Sequence, residues 1–184
     1  SMEKRFPFFL LDQVIMCSHI PDRAFKDLSN KAYQGLEDRV RTRDEALVSL
    51  KHEYRMDMPL IFEEWLAETI HAMYLLHRED HGIYGLTEKN LRIKSIWVNK
   101  MEKGDQHFPH QHLNSFYSFA AYINASDNDA QFMFIKNDNG EVVNVNKDSE
   151  QHILIFPSTL IHTVYPKTTD GEHISVSGNV VINT

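Results

Sequence analysis

The hydrophobic pattern of the chain changes its period near residue 90. Before that point, a short apolar strand or turn at Phe8 to Met16 precedes two segments whose apolar residues recur every three or four positions, which predicts amphipathic helices. The first helix runs from Pro21 to about Arg43, and its stripe is Phe25, Leu28, Ala32, Leu36 and Val40. The second runs from its predicted cap, Asp57, to Gly82. Its predicted buried face is Phe62, Trp65, Leu66, Ile70, Met73 and either Leu76 or His77.

From Leu91 onward the period is two, which is typical of half-buried strands. In LRIKSIWVNKM one face carries Leu91, Ile93, Ser95, Trp97, Asn99 and Met101, and the other carries Arg92, Lys94 and Lys100. Further strands are predicted at Phe116 to Ile123, Gln131 to Ile135, Glu141 to Val145, His152 to Phe156, His162 to Tyr165 and His173 to Ile182. Helices followed by many short strands predict an α+β chain whose strands form a sandwich or a squat barrel.

The last predicted strand has one apolar and one polar face. Ile174, Val176, Val180 and Ile182 alternate with His173, Ser175, Ser177 and Asn179. If the apolar face packs on the helices, the polar face lines a ligand cavity inside the barrel. If the helices lie elsewhere, the polar face meets solvent, and the alternation alone leaves both readings open.

Composition limits the class of protein. The 184 residues are 42% hydrophobic, which suits a single domain, and we expect residues 1–90 to be mainly helical support for a β core in residues 91–184. A net charge of −7 argues against a nucleic-acid binder, because such proteins present a basic stripe. No apolar run approaches the ~20 residues that span a bilayer. The sequence does not define an oligomeric state.

The single cysteine, Cys17, bears on the compartment. It excludes an internal disulfide and fits a reducing environment. The apolar run that follows Phe8 is interrupted by Asp12 and Gln13, and no small-residue cleavage site follows it. A cytoplasmic location is therefore expected.

Three of the eleven histidines are candidate metal ligands. His110 and His112 stand two residues apart before an aromatic strand, so their side chains can point to the same side. His162 follows the sequence Phe156-Pro157-Ser158 and precedes another short strand. Neutral imidazole suits iron, zinc, copper and nickel. We predict that these three residues hold one metal ion.

The order of these motifs resembles the double-stranded β-helix of iron(II)- and 2-oxoglutarate-dependent oxygenases. The resemblance rests on four motifs: the strand with Trp97 and Asn99, the His-x-His pair, the FPS turn with His162, and the final ISVSGN strand. The chain is most similar to the small enzymes of this superfamily that tailed phages of marine bacteria and their hosts encode, which are related to prolyl hydroxylases. The resemblance implies a jelly-roll or cupin-like barrel buttressed by N-terminal helices.

By this resemblance His110, His112 and His162 match the three iron ligands. Most of the superfamily has Asp or Glu where this chain has His112, so the anionic ligand is missing here. The subgroup that the chain resembles also has His-x-His at this place. An alternative register pairs His112 with Asn114, which is a poor iron ligand. An all-histidine set leaves the metal with its full charge and favours an anionic co-ligand such as 2-oxoglutarate.

The resemblance also implies residues for the co-substrate. The basic residue that pairs with the far carboxylate of 2-oxoglutarate, often Arg, is replaced by His173. Tyr122 matches a tyrosine that often helps to bind this carboxylate, and Asn99, Ser177 and Asn179 can supply hydrogen bonds. Lys100 and Lys167 are fallback cations that we expect to be solvated.

The sequence therefore predicts an Fe(II)- and 2-oxoglutarate-dependent dioxygenase that uses O2 to hydroxylate a C–H bond and releases succinate and CO2. The resemblance suggests a protein or peptide substrate, with proline as the first candidate residue. Small metabolites and nucleobases are alternative substrates, of which the acidic charge disfavours nucleobases. One rival is a three-histidine cupin-type dioxygenase that does not use 2-oxoglutarate. The other is a non-catalytic phage or host interaction protein with a degenerate site.

Overall fold

The computed structural model describes residues 6–10, 13–41, 50–126 and 130–183. Both predicted helices are present, as α1 (Asp22–Asp38) and α2 (Leu60–His81). Helix α1 ends before the predicted Arg43, and residues 42–49 lie outside the described ranges. Helix α2 ends at Gly82 as predicted, with Gly82 in the left-handed conformation that favours glycine.

The cap of α2 differs from the prediction. Asp57 does not cap the helix; instead Oδ2 of Asp27, on α1, accepts hydrogen bonds from the backbone N–H groups of Ile61 at 2.9 Å and Phe62 at 3.2 Å. A carboxylate at the positive end of a helix is favourable wherever it comes from in the chain. The prediction was wrong because the sequence shows only the local candidate, whereas the packing of α1 on α2 brings a distant one.

The described residues form eleven strands in two antiparallel sheets. Three strands come from the first half of the chain: β1 (Phe6–Leu10), β2 (Gln13–His19) and β3 (His52–Arg55). The second half supplies β4 (Leu91–Met101), β5 (His107–His110), β6 (Tyr117–Asn124), β7 (Phe132–Lys136), β8 (Asn139–Val143), β9 (His152–Pro157), β10 (Ile161–Val164) and β11 (His173–Ile182). The larger sheet has the order β1-β2-β9-β6-β11-β4-β3, and the smaller has the order β5-β10-β7-β8.

The larger sheet has an apolar core on each side. On one face, the core includes Val98, Val176, Val180 and Phe119 with Phe62 and Ile70 of α2. On the other face, Tyr122, Leu154 and Phe156 pack against Phe132 and Phe134 of the smaller sheet. The helices therefore support one face of the sheet, and the barrel interior lies against the other.

Strand β11 shows how alternation assigns residues to these two sides. Ile174, Val176 and Val180 are at most 1% exposed and belong to the helix-side core. Ser175 and Ser177 line the internal cavity. The polar face of the last strand thus lines the barrel, which is the first of the two readings that the sequence left open.

Strand β4 does not keep one face along its length, contrary to the prediction. Leu91 and Ile93 belong to the helix-side core, whereas Trp97 lines the cavity. The change occurs where Asn179 pairs with Ser95 and Val180 pairs with Ile93, so that Lys94 is an extra residue on β4. Such a β-bulge reverses the facing of the residues beyond it.

Among the described residues, no helix is long and apolar enough to cross a membrane.

Candidate functional site

The three predicted metal ligands lie together at one end of the barrel interior. His110 ends β5, His112 follows it by two residues, and His162 lies on β10, where it pairs in register with His110. The ring centroids of His110 and His162 are 4.2 Å apart, and those of His112 and His162 are 5.5 Å apart. One ligand atom from each of the three residues lies within 4.8 Å of the others. This spacing suits coordination of one ion, because metal–nitrogen bonds of about 2.1 Å separate such atoms by about 3–4 Å.

Hydrogen bonds to the backbone orient two of the rings. Nδ1 of His110 lies 2.7 Å from the carbonyl oxygen of Phe108, and Nδ1 of His162 lies 2.9 Å from that of Leu160. A carbonyl can only accept, so Nδ1 carries the proton and the lone pair is on Nε2. Metal-ligating histidines usually show this arrangement, in which the second nitrogen fixes the ring and its tautomer.

The electrostatic environment keeps His162 neutral. Its side chain is 5% exposed, and burial together with the neighbouring His110 lowers the pKa of His162 well below its ordinary value, although the hydrogen bond to the Leu160 carbonyl opposes this. His162 is therefore uncharged at neutral pH. The neutral form is the one that ligates a metal.

Among the described residues, the cluster that could hold a metal contains no carboxylate. Asn114, the alternative partner of His112, is exposed and lines a separate surface groove. The buried carboxylate of Glu53 lies one residue further out: its Oε2 is 3.8 Å from Nε2 of His107, whose ring is 5.6 Å from that of His110. The residues thus provide three imidazole nitrogen donors, with a buried carboxyl group behind them.

A cavity of about 260 Å³ adjoins the three histidines. Its walls come from both sheets, with Trp97, Met101, Ser118, Tyr122, His173, Ser175 and Ser177 on the larger sheet and His107, Phe132 and Val164 on the smaller one. The surface combines hydroxyl and imidazole groups with aromatic rings. No Lys or Arg is present among these described lining residues. Histidine is therefore the only lining residue that can carry a positive charge.

The predicted co-substrate residues divide into two groups. His173, Tyr122 and Ser177 line the cavity, and the rings of Tyr122 and His173 are 5.9 Å apart. Asn99 and Asn179 are buried behind this surface. Nδ2 of Asn99 donates to Oγ of Ser177 at 3.0 Å. The two asparagines therefore hold lining groups in place rather than form the surface itself.

Asn179 belongs to a small network of its own. Its Oδ1 accepts a hydrogen bond from Oγ of Ser118 at 2.7 Å, and its Nδ2 donates to Oγ of Ser95 at 3.2 Å. Ser118 in turn lies 3.0 Å from the hydroxyl of Ser158. Because Ser158 itself lies in the turn that precedes β10 and His162, the network links β11 and β6 to that turn.

The fallback lysines do not reach the cavity. Lys100 pairs in register with Ile174 and therefore shares the helix-side facing of Ile174. Lys167 is only 2% exposed, so the prediction that it is solvated was wrong. Its Nζ donates to the carbonyl oxygen of Thr169 at 2.9 Å and to Oγ1 of Thr169 at 3.0 Å. These bonds offset the desolvation of the ammonium group.

Sequence reasoning missed Ser118, Ser175, His107 and Glu53. The alternation in β6 could have identified Ser118, since it shares the facing of Ala120 and Tyr122, and Ser175 stood in the polar series of β11 without being selected. His107 and Glu53 gave no local signal. They meet because β3 pairs with β4, in a register that places Glu53 opposite Asn99.

Comparison with known proteins agrees with this architecture. Residues 95–179 match the family model described as "Putative 2OG-Fe(II) oxygenase". No protein of curated function matches the chain by sequence.

Solved structures match over nearly the whole chain. A prolyl-4-hydroxylase from Pseudomonas putida has a TM-score of 0.56 and 11% identity, covering 92% of this chain and 88% of its own. HygX from Streptomyces hygroscopicus, solved with nickel and 2-oxoglutarate bound, has a TM-score of 0.53 and 10% identity, covering 91% and 81%. A prolyl hydroxylase from Trichoplax adhaerens, in complex with a hypoxia inducible factor peptide fragment, has a TM-score of 0.59 and 11% identity, covering 91% and 83%.

At these identities the structural matches establish the fold, and they confirm the predicted double-stranded β-helix. The family match adds the class of chemistry and its cofactors, iron(II) and 2-oxoglutarate, and the three-histidine cluster offers a site for the metal. Residues 95–179, slightly less than half of the chain, match the 2OG-Fe(II) oxygenase family by sequence, and this match together with the structural neighbours indicates a 2-oxoglutarate-dependent oxygenase.

Proposed function

We propose that the protein hydroxylates a C–H bond of a protein or peptide residue, with proline as the first candidate. The observation that carries the proposal is the convergence of three imidazoles on one end of a partly polar cavity. In this proposal His110, His112 and His162 are the iron ligands. When bound, iron and 2-oxoglutarate would let O2 be consumed as 2-oxoglutarate is converted to succinate and CO2, with one oxygen atom passing to the substrate carbon.

The fit of iron rests on the donor set. Three imidazole nitrogens from separate points of the barrel leave room for further ligands on the cavity side. The backbone hydrogen bonds of His110 and His162 hold the rings before any metal arrives, which limits the loss of conformational entropy on binding. With no carboxylate in the cluster, an anionic co-ligand is favoured electrostatically.

The co-substrate carboxylate is assigned to the polar wall of the cavity. His173, Tyr122 and Ser177 supply donors there, and Asn99 and Asn179 support that wall from behind. Hydrogen bonds in a buried site are stronger than in water, so several neutral donors can replace one Arg–carboxylate pair. The set lacks the permanent charge of Arg, so we expect weaker binding of 2-oxoglutarate that strengthens when His173 is protonated.

A polypeptide substrate suits the surroundings of the histidines. Phe108 is 62% exposed and Leu113 is 70% exposed, and they flank the stretch that carries His110 and His112. Exposed apolar side chains beside a site are typical of contact with a larger partner. The Trichoplax structure contains a peptide, and the Pseudomonas neighbour is named as a prolyl-4-hydroxylase. The cytoplasmic location and the relationship to phage and marine-host enzymes stay predictions.

The proposal is tested by spectroscopy under anaerobic conditions. Adding iron(II) and then 2-oxoglutarate to the folded protein should give a visible metal-to-ligand charge-transfer band, because the co-substrate chelates the ferrous ion. Proline-containing peptides should then stimulate O2-dependent formation of succinate.

The two rivals give different results in the same experiment. Uptake of O2 that does not depend on 2-oxoglutarate would favour the three-histidine dioxygenase. Folded protein that binds iron(II) without any band on addition of 2-oxoglutarate would contradict the proposal and favour a degenerate site. Circular dichroism on the same sample excludes misfolding as the cause.

A further inference from the structure

An open groove lies outside the cavity, at the end of the barrel that holds the histidines. We call it the mouth groove; Arg92, Lys94 and Val181 form one wall, and Leu113 and Phe116 form the other. Its volume is about 490 Å³. The groove is distinct from the cavity, because the two have no lining residue in common.

The bulge in β4 is what turns the two cations toward this groove. Because Lys94 is the extra residue, Arg92 and Lys94 take the facing opposite to Leu91 and Ile93, whose side chains are buried on the helix side. They therefore continue the cavity-side face of the strand beyond Trp97. Without the bulge the strict alternation of β4 would place both cations on the helix side.

The second wall of the groove is attached directly to the metal site. Leu113 follows His112 in sequence, and the backbone N–H of His112 donates to the carbonyl oxygen of Ser158 at 2.8 Å. The N–H of Phe116 donates to the carbonyl oxygen of Val180 at 2.8 Å. These two bonds fix both ends of the segment that forms the wall. A ligand bound in the groove would therefore have a defined position relative to the three histidines.

The charge of the groove is opposite to that of the whole chain. Arg92 and Lys94 are exposed, and neither side chain has a hydrogen bond or ion pair with any residue in the described ranges. The residues that line the groove include no Asp or Glu, whereas the chain as a whole carries a net charge of −7. Two cations with an apolar wall favour an acidic, partly apolar ligand.

We propose that the mouth groove binds a part of the peptide substrate that carries acidic side chains; this inference rests on the proposed hydroxylase function. Nucleic acid is disfavoured, because two cations in a chain of charge −7 do not form a basic stripe. A small anionic metabolite is disfavoured because the groove is separate from the cavity. The specificity assigned here is for Asp or Glu at a set distance from the hydroxylated residue.

The strand geometry gives that distance. The ring of Trp97 lies 6.2 Å from that of His112, so Trp97 marks the metal end of β4. Along the paired strand β11, Trp97 lies opposite Ser177 and Arg92 lies opposite Val181, so the bulge leaves Arg92 about four residue rises from Trp97, or about 13 Å, and Lys94 between two and three rises, or about 8 Å. An extended peptide has nearly the same rise, so its acidic residues should stand about two to four positions from the target residue.

The test uses labelled peptides of about eleven residues with one central proline. Two Asp residues stand about two and four positions before the proline in one peptide and after it in another, as the spacing of the two cations requires. Matched peptides carry Lys or Ser instead. Binding to protein loaded with manganese(II) and 2-oxoglutarate is followed by fluorescence anisotropy. We expect one acidic peptide to bind about tenfold more tightly than the Ser peptide, and the Lys peptide to bind most weakly.

Two double variants locate the effect. Arg92→Gln with Lys94→Gln should abolish the preference for the acidic peptide and leave the affinity of the Ser peptide within about twofold. Arg23→Gln with Lys26→Gln removes the same charge from the exposed face of α1, and should retain both the preference and the 2-oxoglutarate turnover. If both double variants lost the preference for the acidic peptide equally, the preference would come from the long-range electrostatic field of the whole protein. That result would overturn the assignment to the groove.

Other outcomes also decide the matter. No preference among the peptides, or a preference that survives the Arg92 and Lys94 substitutions, would overturn the proposal. Competition by free aspartate as effective as that by the acidic peptide would also overturn it, in favour of a small-anion site. The charge-transfer band of the wild-type protein is read separately, so failure of the groove and failure of the hydroxylase function are distinguishable.

Discussion

The two faces of β11 differ in chemistry although they belong to the same ten residues. Toward the helices, Val176 and Val180 are at most 1% exposed and pack in an apolar core. Toward the barrel, Ser175 and Ser177 face a cavity that five histidines also line. Alternation with a period of two lets one strand serve both sides, because successive side chains point in opposite directions.

The difference separates residues that hold the fold from residues that can bind a ligand. On the helix side, burial of apolar area stabilises the sheet, and each group is replaceable only at a cost in packing. On the cavity side, the polar groups line a cavity and pack against fewer atoms, so each contributes little to the free energy of unfolding. Such a surface is expected where natural selection acts on ligand binding rather than on stability.

Removal of His162 should have the largest effect. His162→Ala is expected to abolish metal-dependent succinate production and to lower manganese(II) affinity by at least about a hundredfold, because one of three metal donors is lost. His107→Ala should retain most of both, since His107 lies outside the cluster of three. Isothermal titration and a succinate assay measure these effects. An equal loss in the two variants would show that the ligand set is wrong.

Substitutions at two neighbouring residues of β11, one on each face, should have different effects on stability and on ligand binding. Val176→Ser should lower the free energy of unfolding by about 3 kcal/mol, since it leaves a space and buries a hydroxyl group in the helix-side core. Ser177→Ala should change that free energy by less than about 1 kcal/mol but weaken 2-oxoglutarate binding about fivefold to tenfold, because a donor is lost from the cavity wall.

Urea denaturation and titration of the co-substrate into manganese-loaded protein measure this pair of effects. Comparable stability losses in the two variants would show that the cavity face contributes to packing as much as the helix face does.

The smallest expected effect concerns Cys17, a buried residue of β2. Burial raises the pKa of its thiol to about 12, so at about pH 8 the native protein should hold almost no thiolate at this position. We expect native protein to react with a thiol reagent only at the rate of unfolding and urea-denatured protein to react at once. Fast native labelling would mean that β2 opens locally.

Much of the fold and the ligand cluster could be predicted from local pattern. The two helices, the strands of the second half other than β5, and the choice of His110, His112 and His162 follow from periodicity and spacing. Strand β5 was not predicted. Features that depend on pairing between distant strands could not be predicted. The burial of Lys167, the meeting of Glu53 with His107 and the bulge at Lys94 each arise from contacts that no local window contains.

By itself, the sequence determined that β11 has one apolar face and one polar face, because alternation is a property of the chain alone. Only the tertiary structure decided that the polar face lines the cavity of the barrel rather than its outer surface, because that depends on which face the helices cover. The same holds for the metal site. Residue order brought His110 and His112 close together, but the pairing of β10 with β5 was needed to bring His162 to them.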